Sequence, residues 1–306
     1  MDRKKVTLPD LYGKKAQHLP ITMLTTYDFP SAQALDRAGI DIAFVGDSYG
    51  MVVLGYPSTV PVTMEEMLIA CRAVARGAQY AFLIGDMPFM SYQAGVDDAV
   101  RNAGRFLKEA NMDAVKLEGG RTVAPVARAI HDAGISVMGH IGLTPQNVTQ
   151  LGGWRTQGTT AASARALLDD ALALEDAGCF AIVLEKVPDR VAQLVTERLG
   201  IPTIGIGAGL HTDGQVLVLH DLLGYYDKFL PKFAKRYANL HATIGEAVTR
   251  FRSEVEARAF PAAEHTFAIS DEEWARLRQS LQDANPVQVP NEASPPGAAV
   301  PGQRLY

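Results

Sequence analysis

The 306-residue sequence predicts a parallel (β/α)8 barrel of the TIM type, one catalytic domain followed by a C-terminal extension. Three observations lead there. Eight short runs are apolar throughout rather than alternating, the mark of parallel strands covered on both faces. Between several of these runs lie amphipathic stretches whose apolar residues recur at three and four, which is helical spacing. And "ALDRAGIDIAFVG", "IHDAGISVMGHIG" and "LEDAGCFAIVLEK" repeat one unit, a helix stopped by Ala-Gly and followed at once by a strand. Glycine supplies the left-handed C-cap that such a sharp stop needs. A doubly wound open sheet shares the alternation and is the alternative architecture.

The elements follow in order. "ITMLTTYD" (21–28) leads into the helical "SAQALDRAG", and "IAFVGDS" (42–48) into "MEEMLIACRAVARG". "YAFLIGDMP" (80–88) precedes "AVRNAGRFLKEAN", "AVKLEGG" (114–120) precedes "VAPVARAIHDAG", and "SVMGHIGL" (136–143) precedes "ASARALLDDALALEDAG". "AIVLEKV" (181–187), "PTIGIGAG" (202–209) and "QVLVLHD" (215–221) complete the eight strands. The catalytic domain is placed at residues 1–260 and the extension at 261–306. The extension reads as a helix over about 270–284, "SDEEWARLRQSLQDA", opened by a Ser or Asp cap. The Pro- and Ala-rich end has almost no charge or aromatic residues, a composition expected to be disordered.

Bulk properties narrow the function. The formal net charge is −5, and nothing basic clusters beyond "RKK" at 3–5, which is expected to be a solvated terminus. Nucleic acid and anionic membrane are therefore poor partners. No apolar run approaches the ~18 residues of a membrane span and no apolar segment follows the N-terminal charges, so a cytoplasmic location is expected. Cys71 and Cys179 lie far apart in apolar helical surroundings and read as buried thiols.

The chemistry lies at the strand ends. Asp28, then Asp47 and Ser48, Asp86, Lys116 and Glu118, His140, and Glu185 with Lys186 stand at the C-terminal edges of the first six runs. In a parallel barrel those edges share one rim, where active sites of this architecture form. Asp47 and Asp86 each follow a glycine, which permits close backbone approach. Asp47, Asp86 and Glu118 would converge as three carboxylates; their repulsion calls for a divalent cation, and oxygen donors suit Mg2+ or another hard ion. Taken singly, an Asp at a strand end is more often a helix cap or loop hydrogen-bonder. Four acids at four strand ends, beside a Lys and a His, weigh against that bland explanation. His140 is open between a hydrogen-bonded core histidine and a site residue. Tyr27, Met87 and Met90 read as rim packing. "GIGAG" (205–209) reads as tight packing rather than a phosphate cradle, because no Lys, Arg, Ser or Thr follows closely.

The same residues carry a resemblance. "TTYD", "VGDSYGMVVLG", "GDMPFMSY", "VKLEGG", "GHIGLTPQ", "LEKVP", "IGIGAG" and "DGQVLVLHDLLG" occur in the order and at about the spacing found in the ketopantoate hydroxymethyltransferase family. The chain resembles that family from about Val6 to "EHTFAI". It differs at Tyr49, where Leu is common, and Lys186 stands at a variable position. The resemblance is silent about the segment beyond. It implies a (β/α)8 barrel that moves a one-carbon unit from 5,10-methylenetetrahydrofolate, as co-substrate, to 3-methyl-2-oxobutanoate, giving 2-dehydropantoate. It also implies one Mg2+ per subunit and a homodecamer of two stacked pentamers. By motif, Asp47, Asp86 and Glu118 match the family's metal site. Asp47, Ser48, Asp86 and Lys116 match its substrate-binding positions, and Glu185 matches its proton acceptor. A Mg2+-dependent 2-oxo-acid lyase or mutase, of the phosphoenolpyruvate mutase and isocitrate lyase type, would share the carboxylate cluster without needing folate. A catalytically dead barrel serving as a scaffold would be expected to lack some of the rim acids, and none is missing.

Overall fold

The computed structural model of the chain describes residues 3–283. Helix α1 (Leu8–Ala16) comes first, then β1 (Ile21–Thr25), α2 (Phe29–Ala38), β2 (Ile42–Val45), α3 (Tyr49–Val52), α4 (Met64–Gly77), β3 (Phe82–Asp86) and α5 (Val96–Ala110). These are followed by β4 (Ala114–Lys116), α6 (Ala124–Asp132), β5 (Ser136–Gly142), α7 (Ala161–Asp176), β6 (Ala181–Glu185), α8 (Asp189–Arg198), β7 (Thr203–Ile206) and β8 (Gly214–Leu217). After β8 come α9 (Leu219–Leu222), α10 (Leu240–Glu256) and α11 (Asp271–Asp283). All eight strands pair in parallel in sequence order, and β8 returns to β1 through Ile21 opposite Gly214, closing the barrel. Closure excludes the open sheet.

Because side chains alternate along a strand, each strand divides its residues between two layers. Ile21 and Met23, Ile42 and Phe44, Phe82 and Ile84, Ala181 and Val183 pack with Ile204 and Val216 in one cluster inside the barrel. Ala43, Val45, Leu83, Val115, Ile182 and Leu184 belong to a second cluster, between the barrel and its helices, where buried Cys71 also sits. The sequence shows these strands as continuous apolar runs because both layers are dry. β7 and β8 depart from the β–helix–β pattern: residues 207–213 cross between them without a helix. Among these, Gly207 and Gly209 have positive φ, and a Cβ on either would stand 2.7 Å from Phe233 or 2.6 Å from Asp189. The "GIGAG" run is therefore a packing device.

Carboxylates tie down the N-terminal ends of the strands. Asp36 is buried and accepts from three consecutive backbone amides, Gln79 at 3.0 Å, Tyr80 at 3.0 Å and Ala81 at 2.8 Å. Asp41 accepts from Thr22 N and pairs with Lys14, and Asp213 accepts from Thr203 N and pairs with Lys15. Both lysines lie on α1, whose Leu11 joins the interior cluster, so this helix closes the bottom of the barrel. The basic run at 3–5 is not a free terminus. Arg3 donates to the Asp36 carbonyl, Lys5 pairs with Asp113 at 2.8 Å, and Val6 N donates to Tyr80 O.

The described residues group into two compact units, up to Gly245 and from Glu246 on. In the second, Phe251 packs edge-on against Phe260, and α11 is capped by Ser270, whose hydroxyl accepts from Glu273 N. The Pro- and Ala-rich tail expected to be disordered lies outside the described residues. Among the described residues no helix is long and apolar enough to cross a membrane.

One stability prediction comes from Asp36. Asp36→Ala leaves three strand-entry amides without their acceptor, and each unsatisfied buried group costs about 1–3 kcal/mol. Urea unfolding should show a loss of about 3 kcal/mol or more. A loss below about 1 kcal/mol would mean that water serves those amides as well as the carboxylate does.

Candidate active site

The layer rule that fills the barrel also builds its upper rim. Continuing each interior row by two residues gives Phe82–Ile84–Asp86, Ala114–Lys116–Glu118, Met138–His140 and Ala181–Val183–Glu185. Four strands thus end their apolar stacks in ionisable side chains over one cavity of about 910 Å3, which Asp47 and Ser48 also line from the turn after β2. Of the strand-end residues picked out in the sequence, Asp47, Ser48, Asp86, Lys116, Glu118, His140, Glu185 and Lys186 lie on this cavity. Asp28 does not: it caps α2, accepting from Ser31 N at 2.8 Å.

Lys116 sits at the centre, only 3% exposed, with its ammonium 2.9 Å from Asp86 Oδ1 and 3.7 Å from Glu118 Oε1. Phe44 lies beneath it, ring centroid 5.4 Å away. Asp47 N donates to Asp86 Oδ2 at 3.0 Å, joining the β2 turn to β3. His140 bridges two acids: Nδ1 lies 3.3 Å from Glu118 Oε1, and Nε2 lies 3.3 Å from Glu185 Oε2, outside hydrogen-bond geometry. His140 thus stands between Glu118 and Glu185. Ser48 Oγ lies 2.8 Å from the Tyr27 hydroxyl, which makes Tyr27 more than rim packing.

The electrostatics follow from burial and proximity. Burial raises the Asp47 carboxyl well above the usual carboxylate range, and the charges of Asp86 and Glu118 push it further. Burial also raises Asp86. On Glu118 burial acts upward too, but Lys116 and His140 outweigh it and hold the group low. Burial opposes the charge of Lys116, yet Asp86, Glu118 and Asp47 together raise it. Burial and Lys116 oppose a charge on His140, but Glu118 and Glu185 prevail and raise it to about 9. The raised Asp47 thus reflects its burial first and the neighbouring Asp86 and Glu118 charges second.

A family model described as ketopantoate hydroxymethyltransferase matches residues 5–263. The chain belongs to the ketopantoate hydroxymethyltransferase family. It is 54% identical over 281 residues to the 3-methyl-2-oxobutanoate hydroxymethyltransferase of Syntrophobacter fumaroxidans, a match spanning 92% of this chain and 99% of that protein. It is 56% identical over 265 residues to the protein of the same name from Moorella thermoacetica, spanning 87% of this chain and 98% of the relative. Among solved structures, phosphoenolpyruvate phosphomutase from Streptomyces platensis subsp. rosaceus matches with a TM-score of 0.57, over 90% of this chain and 97% of that one. At 15% identity that likeness is one of fold.

The donors in this hydroxymethyltransferase-family site fit a hard divalent cation. Asp86 Oδ1 is buried and has no hydrogen bond, its contact with Lys116 being an ion pair outside hydrogen-bond geometry. A second cation beside it and Asp47 would remove the penalty that burial imposes on both carboxylates. Among the described residues no group of three or more His, Cys, Asp and Glu is arranged to grip one ion directly. The ion would thus be held by one or two carboxylates with water completing its shell, the usual habit of Mg2+.

Two residues escape the sequence analysis. Gln146, from the loop after β5, is buried; its Nε2 donates to Asp47 Oδ2 at 2.9 Å and to Met87 O at 3.0 Å, and its backbone N donates to Glu118 Oε2. The Tyr92 hydroxyl donates to Gln146 Oε1 at 2.7 Å and accepts from Glu118 N. The only sequence signal for Gln146 is its place in the family motif "GHIGLTPQ". Gln146→Leu would strip Asp47 and Met87 O of a donor and Tyr92 of an acceptor, and should cost about 2–4 kcal/mol in urea unfolding. Wild-type stability in that variant would show that water replaces the amide.

Proposed function

We propose that the chain transfers a hydroxymethyl group from 5,10-methylenetetrahydrofolate to 3-methyl-2-oxobutanoate, giving 2-dehydropantoate on the route to pantothenate and coenzyme A. The names of relatives at 54% and 56% identity over most of the chain support this. The observation that carries it is the division of labour on the rim. One carboxylate, Glu185, stands across His140 from Glu118, which with Asp86 flanks Lys116. Such chemistry needs a base near the substrate's C3 and, apart from it, a charged cradle for the keto acid.

Lys116 and Ser48 bind the keto acid, Lys116 by placing its ammonium beside the substrate carboxylate. Asp47, Asp86 and Glu118 would hold Mg2+ directly or through water beside the keto acid. Bound Mg2+ supplies Lewis acidity for the negative charge that develops on the keto oxygen. Glu185 takes the C3 proton. C3 then bonds to the methylene carbon of the folate, whose bonds to N5 and N10 break; water provides the hydroxyl, and the proton from C3 and one from water end on the two nitrogens, releasing tetrahydrofolate. His140, in contact with Glu118 and Glu185, orients the base relative to the cradle. The lyase or mutase alternative retains only likeness of fold, at 13% and 15% identity. Residues 1–260 are taken as the catalytic domain and 261–306 as an extension, in a cytoplasmic enzyme.

The test follows hydroxymethyl transfer to 3-methyl-2-oxobutanoate with folate and Mg2+ added or withheld; transfer must require both. A paired experiment separates base from cradle, by exchange of the C3 hydrogen with solvent deuterium, read by proton NMR without folate. Glu185→Gln should bind Mg2+ and keto acid normally but exchange at least ~10²-fold more slowly. Asp86→Ala should weaken Mg2+ and keto-acid binding together. Wild-type exchange in Glu185→Gln would clear Glu185 and turn attention to His140.

The same proposal includes the homodecamer, which rests on the family resemblance alone. Light scattering at micromolar concentration should report a mass near ten chains, and a stable monomer would reject it.

A further inference from the structure

The cavity has a half that the chemistry around Lys116 leaves unused. β8 is separated from β4 by three strands either way round the closed barrel, so it faces Lys116 from the opposite wall. On that side the lining is apolar and aromatic, with Ile206, Tyr226, Phe229 and Phe233, and Trp154 stands on the same cavity. At about 910 Å3 the space is near the top of the range of ~300–1,000 Å3 for small-molecule sites. A five-carbon keto acid beside Lys116 leaves much of it unfilled.

Two charged groups, Lys232 and Asp221, interrupt this wall. Asp221, on α9 directly after β8, lines the cavity and is only 8% exposed. Its side chain makes no hydrogen bond and no ion pair with any described residue; Arg236 acts on it only from a distance. Burial pushes its carboxyl up to about 6, so it is still ionised at neutral pH. Thr59 lines the same cavity, 2% exposed, with its hydroxyl lacking any hydrogen-bond partner. Buried carboxylates are normally satisfied, and here no described side chain supplies the donors, which leaves them to water or to a ligand that enters the cavity. The "LHDLLG" motif that supplies Asp221 has no part in the cradle or the base.

We infer that Asp221 binds the pterin of the folate co-substrate. The aminopyrimidinone edge of that ring offers two parallel donors, N3–H and the 2-amino group, which match the two oxygens of a carboxylate. The flat bicycle lies against the aromatic wall, a surface suited to stacking, and this places the folate on the opposite side of the cavity from the Lys116 cradle. The assignment rests on the activity proposed above.

Three measurements on the full chain test it. Tetrahydrofolate titrated calorimetrically into Asp221→Asn should bind roughly 10- to 100-fold more weakly than to wild type, the value of a bidentate pair. C3 hydrogen exchange of the keto acid, which needs no folate, should stay at the wild-type rate and so report an intact fold and cradle. Wild-type protein should bind 2-desamino-tetrahydrofolate weaker by a similar factor. Equal affinity of wild type for the two folates overturns the assignment whatever the variant does, as does unchanged tetrahydrofolate affinity in an exchanging Asp221→Asn. A wild-type protein that exchanges the keto acid but binds no tetrahydrofolate would instead sink the activity proposed above.

Discussion

The ammonium of Lys116, almost completely buried and 2.9 Å from Asp86, is the interaction on which the upper half of the barrel depends. A cation taken out of water this far is tolerated only when carboxylates compensate it at close range. Asp86 comes from the neighbouring strand, and Glu118 is the next interior position along Lys116's own chain. Each has then to be held: Asp86 by the backbone of Asp47, Glu118 by His140 and the backbone of Gln146, Asp47 by the Gln146 side chain. A single buried charge thereby recruits residues from four strands and the turns that follow them.

Why these groups meet at all is a matter of period. A strand that sends Phe82 and Ile84 into the barrel must send Asp86 the same way, and likewise Ala114 before Lys116 and Val183 before Glu185. The opposite end of the barrel uses carboxylates differently. Asp36, Asp41 and Asp213 face backbone amides and the lysines of α1, so their negative charge is absorbed by structure. At the rim the carboxylates are buried and crowd one another, and this shows as the raised Asp47. One fold thus carries saturated acids at its base and crowded acids at its mouth.

The same distinction explains what could be read in advance. Continuous apolar runs ending in Asp, Glu, Lys or His are visible as strings of letters, so the barrel and the rim acids were legible. Gln146 was not, because an uncharged amide in a loop has no periodicity to betray it, and its reach to Asp47 depends on how the loop after β5 folds inward. Asp28 looked like the other strand-end acids, but it is spent on the first turn of α2. The basic run at 3–5 suggested a loose end, whereas its partners Asp36 and Asp113 lie tens of positions away and only the fold brings them near. Charge and alternation are local properties; partnership across the fold is not.

Gln146 has one more consequence. Barrels of this type are often regarded as modular, a fixed cylinder whose crossover loops can be exchanged one at a time to change chemistry. Here the loop after β5 is bolted through one amide to the turn after β2 and to the residue after β3, and through its backbone to Glu118, two residues beyond β4. These connections behave as a single part. A graft that replaced the β5 loop alone would carry away the clamp on Asp47, so any transplant of new specificity onto this scaffold has to move the loops as a set.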